Sequence, residues 1–147
     1  MENINILFVC RYNRFRSRIA EAYFKKVNKS KRIKVKSAGL IKGNPLNKFT
    51  VEIAKNLGLD IKGKVKGLSS KLIAWQNLTV IVADDVPPEV FEKNKQYGKK
   101  VIIWKIKDVK YVQTGEIKKL AKIIMKKVDI LNKDLERGKI KWNNMTY

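Results

Sequence analysis

Cys10 is the only cysteine of the chain. It stands in the run Cys10-Arg11-Tyr12-Asn13-Arg14-Phe15-Arg16-Ser17, in which five residues separate the cysteine from an arginine that a serine follows directly. Residues 4–9 before it are largely apolar, with the β-branched and aromatic members of a buried strand. Residues 17–27 after it switch to helical spacing, with Ile19, Ala20, Tyr23, Phe24 and Val27 on one face. A short loop entering a helix N-terminus points several backbone N–H groups at one spot and makes an anion nest. Arg16 would close that nest with a planar fork suited to two phosphate oxygens. The same positive potential favours thiolate, and a thiolate facing the phosphorus of a cradled monoester is a poised nucleophile. Arg11, Tyr12, Asn13, Arg14, Phe15 and Ser17 would supply the rest of the cradle. A lone cysteine at a strand end is also an ordinary small buried hydrophobe, and the bare cysteine–arginine spacing arises by chance. The strand-loop-helix context and the serine favour chemistry.

The elements that must hold this turn follow from the rest of the chain. Residues 33–35 read as a short second strand ending at Ser37-Ala38-Gly39, and Gly43-Asn44-Pro45 marks a loop. Phe49, Ile53, Ala54 and Leu57 predict a helix over 47–57, stopped by Gly58. Residues 78–83 form an unalternating apolar run, a strand covered on both faces. Pro87-Pro88 cannot continue it and suits entry into a helix over 89–95, with a fourth strand at 101–104. Ile117, Leu120, Ile123, Ile124, Val128 and Leu131 predict a last helix over 115–135, lysines opposite. Residues 137–147 carry no clear period and read as a loosely ordered tail. Strands alternating with helices predict one α/β domain over residues 1–147, a parallel sheet covered on both faces, with ligands beyond the carboxyl ends of its strands. Cys10, Ser37, Asp84 and Asp108 fall just past predicted strand ends and are expected to share one rim.

The net charge of +21 comes from six arginines and 28 lysines against 13 acidic residues. One reading is a genome poor in G and C, which also enriches isoleucine and asparagine. The other is a nucleic-acid surface, since such a charge attracts polyanions at low salt. No interleaving of basic and aromatic residues accompanies the charge. On either reading the field draws in anionic substrates. The longest apolar runs are too short to span a membrane, the N-terminus lacks the pattern of a signal peptide, and one cysteine cannot form an internal disulfide. A cytoplasmic protein without membrane attachment is expected. With no histidine and one cysteine, neither a metal site nor a cofactor is expected.

The stretch ILFVCRYNRFRSRIAEAYF resembles the N-terminus of the low-molecular-weight protein tyrosine phosphatases and the related arsenate reductases. Their motif is cysteine-x-x-asparagine-x-x-arginine-serine, followed by alanine-glutamate-alanine, here Ala20-Glu21-Ala22. Ser37-Ala38-Gly39, Gly43-Asn44-Pro45, Gly58-Leu59-Asp60 and VIVADD at residues 80–85 continue the likeness in order, over roughly residues 4–131. The resemblance implies a four-stranded parallel sheet in the order 2-1-3-4 with a phosphate-binding loop after strand 1. It also implies phosphomonoester hydrolysis through a cysteinyl phosphate, with protein phosphotyrosine as the default substrate. Cys10 would be the nucleophile, Arg16 the phosphate clamp, and Ser17 a hydroxyl that steadies the thiolate. Asn13 would hold the loop with Ser37 in support, although ordinary turn chemistry accounts for both residue types as well. Asp108 occupies the place of the general acid, with Val109 where the family has proline. Asp84 and Asp85 stay open as alternatives, because the third strand would lie beside the first.

Other departures bear on rate and substrate. Tyr12 fills a slot that is glycine in many of these phosphatases; if the slot needs positive φ, tyrosine would strain the loop. Arg18 replaces a common proline, and the family's loop-supporting histidine has no counterpart. Tyr111 is either an aromatic wall of the phenol pocket or plain surface. Some bacterial members act on phosphoarginine and carry threonine in the slot of Arg14, which here faces either the pocket or solvent.

A thioredoxin-coupled arsenate reductase needs further cysteines to relay oxidation, and this chain has none. An arsenate reductase using an external thiol, and a catalytically silent phosphate- or nucleic-acid-binding module, remain the alternatives to a hydrolase. Expected partners are a phosphorylated protein or a small phosphomonoester, with phosphate and vanadate as inhibitory oxyanions. No oligomeric state follows from the sequence.

Overall fold

The computed structural model describes residues 3–108 and 114–138. Strand β1 (Ile4–Cys10) leads into helix α1 (Arg16–Val27), followed by β2 (Ile33–Gly39), α2 (Lys48–Asn56) and α3 (Ser70–Trp75). Next come β3 (Leu78–Val82), a 3-10 segment (Pro88–Tyr97), β4 (Lys100–Trp104) and α4 (Thr114–Glu136). The strands form one parallel sheet in the order β2-β1-β3-β4. This is the expected α/β fold.

Burial on both faces explains the apolar runs. Ile6 and Phe8 of β1 join Leu78, Val80 and Val82 of β3 in a core that α1, α2 and α4 cover. Leu7 and Val9 point the other way, with Ile81, into a second core under α3 and the 3-10 segment. No helix among the described residues is long and apolar enough to cross a membrane.

Three differences from the expected elements have physical causes. β2 runs on to Gly39 because its whole length pairs with β1, from Ile4 opposite Ile33 to Cys10 opposite Gly39. Its small residues carry no strand signal of their own, so pairing overrides propensity. Ser37 therefore lies inside the strand, not past its end. Helix α3 has only six residues, too few for a legible period, and is held by Ser69, whose hydroxyl accepts from the Leu72 N–H at 3.1 Å. The segment after Pro87 is 3-10, broken at Phe91 (φ −110°) and closed by Gly98 (φ 68°), rather than the expected α-helix. The expected tail lies outside the described residues from position 139 onward.

Candidate active site

The loop between β1 and α1 is fixed from outside by its carbonyl groups. The Cys10 carbonyl accepts from the Leu40 N–H at 2.8 Å, and the Arg11 carbonyl accepts from the Ile41 N–H at 3.1 Å. The Asn13 carbonyl accepts from the Arg18 Nε at 2.7 Å. In a trans peptide the N–H points opposite to the carbonyl before it. The N–H groups of Arg11, Tyr12 and Arg14 thus turn away from these tethers. Helix α1 then starts at Arg16 with no side-chain cap, leaving its first N–H groups for a ligand at the loop.

The loop can lie this close to β2 because Gly39 has no side chain. A Cβ there would stand 2.6 Å from the Tyr12 carbonyl carbon and 2.7 Å from the Asn13 nitrogen. Positive φ falls on Asn13 (57°) and not on Tyr12, so the expected strain at Tyr12 does not arise. Asparagine tolerates that left-handed conformation.

Asn13, fully buried, is the hub of the loop's polar network. Its Nδ2 donates to the Ser17 and Ser37 hydroxyls, both at 2.9 Å, and its Oδ1 accepts from the Lys66 N–H at 3.0 Å. Ser37 in turn donates to Glu21 at 2.6 Å. Ser17 Oγ lies 3.0 Å from Cys10 Sγ. A single chain of hydrogen bonds thus reaches from Glu21 to the sulfur. Glu21 was visible in the sequence only as a motif member, although it stands four residues after Ser17 on the same helix face. Arg18, also without an assigned role, is buried and ties the loop to the carbonyl groups of Ile61, Gly63 and Lys64. Burial pushes its pKa below the ordinary guanidinium value, Glu21 pulling the other way.

Asn13→Ala would leave the Lys66 N–H without its partner, remove the hydrogen bond that the Ser17 and Ser37 hydroxyls each accept, and place alanine at φ 57°. A loss of about 2–4 kcal/mol is expected, read from urea unfolding. Asn13→Gly, which adopts that φ freely, should lose less.

The Arg16 guanidinium is buried and held by the protein. Nη1 donates to the Ile106 carbonyl at 2.8 Å and Nη2 to Asp85 at 2.9 Å. Asp108 lies 3.7 Å from Nη2 and Asp84 3.8 Å from Nη1. The three aspartates after β3 and β4 thus gather around one arginine, but only Asp108 lines the cavity that holds Cys10. That cavity, of about 290 Å³, is walled by Tyr12, Arg14, Phe15, Arg16, Phe49 and Ile117, with Asn47 and Thr50 at the start of α2. Asp85 acts as the brace of Arg16.

Among the loop residues expected to cradle phosphate, Arg11 turns its side chain aside, donating to the Tyr12 hydroxyl at 3.2 Å and the Asp85 carbonyl at 3.1 Å. Asn13, Ser17 and Ser37 stand behind the loop as supports. Arg14 faces the cavity, which settles its direction, while one of its nitrogens, Nη2, donates to the Pro45 carbonyl at 3.0 Å. Tyr111 and Val109 lie outside the described residues.

Residues 5–137 match the family model described as low molecular weight phosphotyrosine protein phosphatase. No curated protein matches the chain. Among solved structures, the YwlE arginine phosphatase from Geobacillus stearothermophilus is similar with a TM-score of 0.79 at 21% identity, over 92% of this chain and 94% of that one. The low molecular weight protein tyrosine phosphatase from T. tengcongensis is similar at 0.70 and 24%, over 90% and 99%. An arsenate reductase from Archaeoglobus fulgidus is similar at 0.68 and 25%, over 86% and 98%.

Proposed function

Since the chain belongs to the low molecular weight phosphotyrosine protein phosphatase family, a family of cysteine-based hydrolases, we propose that it hydrolyses aryl phosphomonoesters of the phosphotyrosine type, with Cys10 as nucleophile and Asp108 as acid and base. The observation that carries this reading is the shared cavity: Cys10, Arg16 and Asp108 line one space at the mouth of the loop. In the first step the Cys10 thiolate attacks phosphorus, the ester P–O bond breaks, and the leaving oxygen takes the proton of Asp108. In the second, water attacks the phosphorus of the cysteinyl phosphate and gives its proton to Asp108. The S–P bond then breaks, returning the thiolate and releasing inorganic phosphate. Arg16, with two of its N–H groups fixed on Ile106 and Asp85, meets the phosphoryl oxygens without reorganising. Tyr12, Phe15, Phe49 and Ile117 offer an aromatic leaving group apolar walls.

Hydrolysis of 4-nitrophenyl phosphate with a metal chelator present tests the proposal, alongside arsenate reduction with an external thiol. The expected result is hydrolysis that the chelator leaves intact and no arsenate reduction. Arsenate turnover without ester hydrolysis would favour the reductase reading.

Arg14 supports an aryl over a guanidinium leaving group, because a second cation in the wall repels phosphoarginine. Arg14→Thr is expected to raise phosphoarginine turnover relative to phosphotyrosine, by about tenfold if one charge contact of roughly 1.4 kcal/mol is removed. Paired kcat/KM values check this. An unchanged ratio would remove Arg14 from leaving-group selection.

A further inference from the structure

Arg14 is incompletely satisfied within the protein. Its Nε is buried and has no hydrogen-bond partner, and among the described residues no carboxylate lies within ion-pair distance of its guanidinium. Among the described residues its head makes a single hydrogen bond, from Nη2 to the Pro45 carbonyl. An arginine remains charged in any protein setting, and a buried charged donor left unmade is costly. Its natural complement is an anion.

The surroundings say where that anion comes from. Arg14 shares its wall of the cavity with Asn47, Phe49 and Thr50, where α2 begins. The first turn of α2 contains no acidic residue, and the side-chain oxygens of Asn47 and Thr50 are already used. Asn47 Oδ1 accepts from the Phe49 N–H at 2.8 Å, and Thr50 Oγ1 donates to the Asn47 carbonyl at 2.8 Å. The helix N-terminus adds positive potential to that of the guanidinium. Cys10 and Arg16, which would hold the phosphoryl group, lie in the same cavity, so a second anion at Arg14 would belong to the leaving group.

We propose that Arg14 binds a carboxylate carried beside the aromatic ring of the substrate, so that the preferred substrates are acidic aryl phosphomonoesters. This inference rests on the hydrolase reading above and names its substrate class. Two sources supply that chemistry: a carboxylate on a small aryl phosphate, or an acidic residue flanking phosphotyrosine in a peptide.

The test compares kcat/KM for carboxyphenyl phosphates with their carboxamide counterparts, and for phosphotyrosine peptides flanked by glutamate with those flanked by glutamine. Wild type, Arg14→Met and Lys62→Met are measured, the last removing an equal charge away from the cavity. Comparing ratios cancels the intrinsic reactivity of each ester. Wild type is expected to prefer the carboxylate by about 10- to 100-fold in at least one arm, which then identifies the source, as a charge-assisted hydrogen bond would give. Arg14→Met should lose that preference and Lys62→Met should keep it. If Arg14→Met does not fold, by its urea transition, Arg14→Gln is read in its place. Equal preference in wild type and Arg14→Met, or an equal fall in Lys62→Met, overturns the inference while hydrolysis stands. Absence of hydrolysis of every ester by wild type overturns the hydrolase reading and the inference together.

Discussion

Cys10→Ser is expected to lower turnover of aryl phosphates by about 10⁴-fold or more while vanadate and phosphate still bind. A serine hydroxyl is un-ionised near neutrality and is a far weaker nucleophile than a thiolate, so the first step stops. The oxyanion cradle does not depend on the sulfur. Arg16 is held by Ile106 and Asp85, and the loop carbonyl groups are held by Leu40, Ile41 and Arg18. A serine Oγ can take the place of Sγ opposite Ser17, and Cys10 is only 2% exposed, so a smaller atom there disturbs little else. Steady-state rates and calorimetric vanadate binding separate the two effects. Retained turnover would remove Cys10 from the chemistry; lost turnover with lost vanadate binding would mean that the loop had collapsed.

Asp108→Asn should impair catalysis according to how basic the leaving oxygen is. Removing a general acid costs about 10²–10⁴-fold when the leaving group needs a proton. Tyrosyl and alkyl phosphates should therefore slow by that factor in the first step, and a nitrophenyl phosphate by much less. The second step loses its base for every substrate alike. Geometry separates Asp108 from its neighbours, because it lines the cavity with Cys10 whereas Asp85 is taken up by Arg16 at 2.9 Å and Asp84 lies to one side. Asp84→Asn and Asp85→Asn should alter rates without this dependence on the leaving group. Its appearance at either of them instead would move the acid.

The strands and the loop after the first of them were legible because each rested on a strong local pattern, whereas the sheet order followed from the family resemblance. Unbroken apolar runs at β1 and β3 marked strands buried on both faces, and the cysteine-to-serine motif sat where strand meets helix. What escaped depended on contacts distant in sequence. The length of β2 comes from its partner strand, and α3 is too short to show a period. The left-handed residue of the loop depends on how it packs over Gly39, which placed it at Asn13 rather than Tyr12. The pairing of Asp85 with Arg16 at 2.9 Å escaped too, because adjacency to β1 does not say which carboxylate the arginine will take. Arg18 read as a departure from a family pattern, yet its guanidinium joins the loop to residues 61–64.

The covalent step can be observed directly. With 4-nitrophenyl phosphate the leaving group departs easily, so under the proposed mechanism breakdown of the intermediate should limit turnover and the phosphorylated protein should accumulate. Wild-type reactions stopped within milliseconds by denaturant and examined by peptide mass spectrometry should show one phosphoryl group on the sulfur of Cys10, formed as fast as the first burst of nitrophenol. Hydrolysis that proceeds with Cys10 unmodified at every time point, or with the phosphoryl group on another residue, would contradict the account.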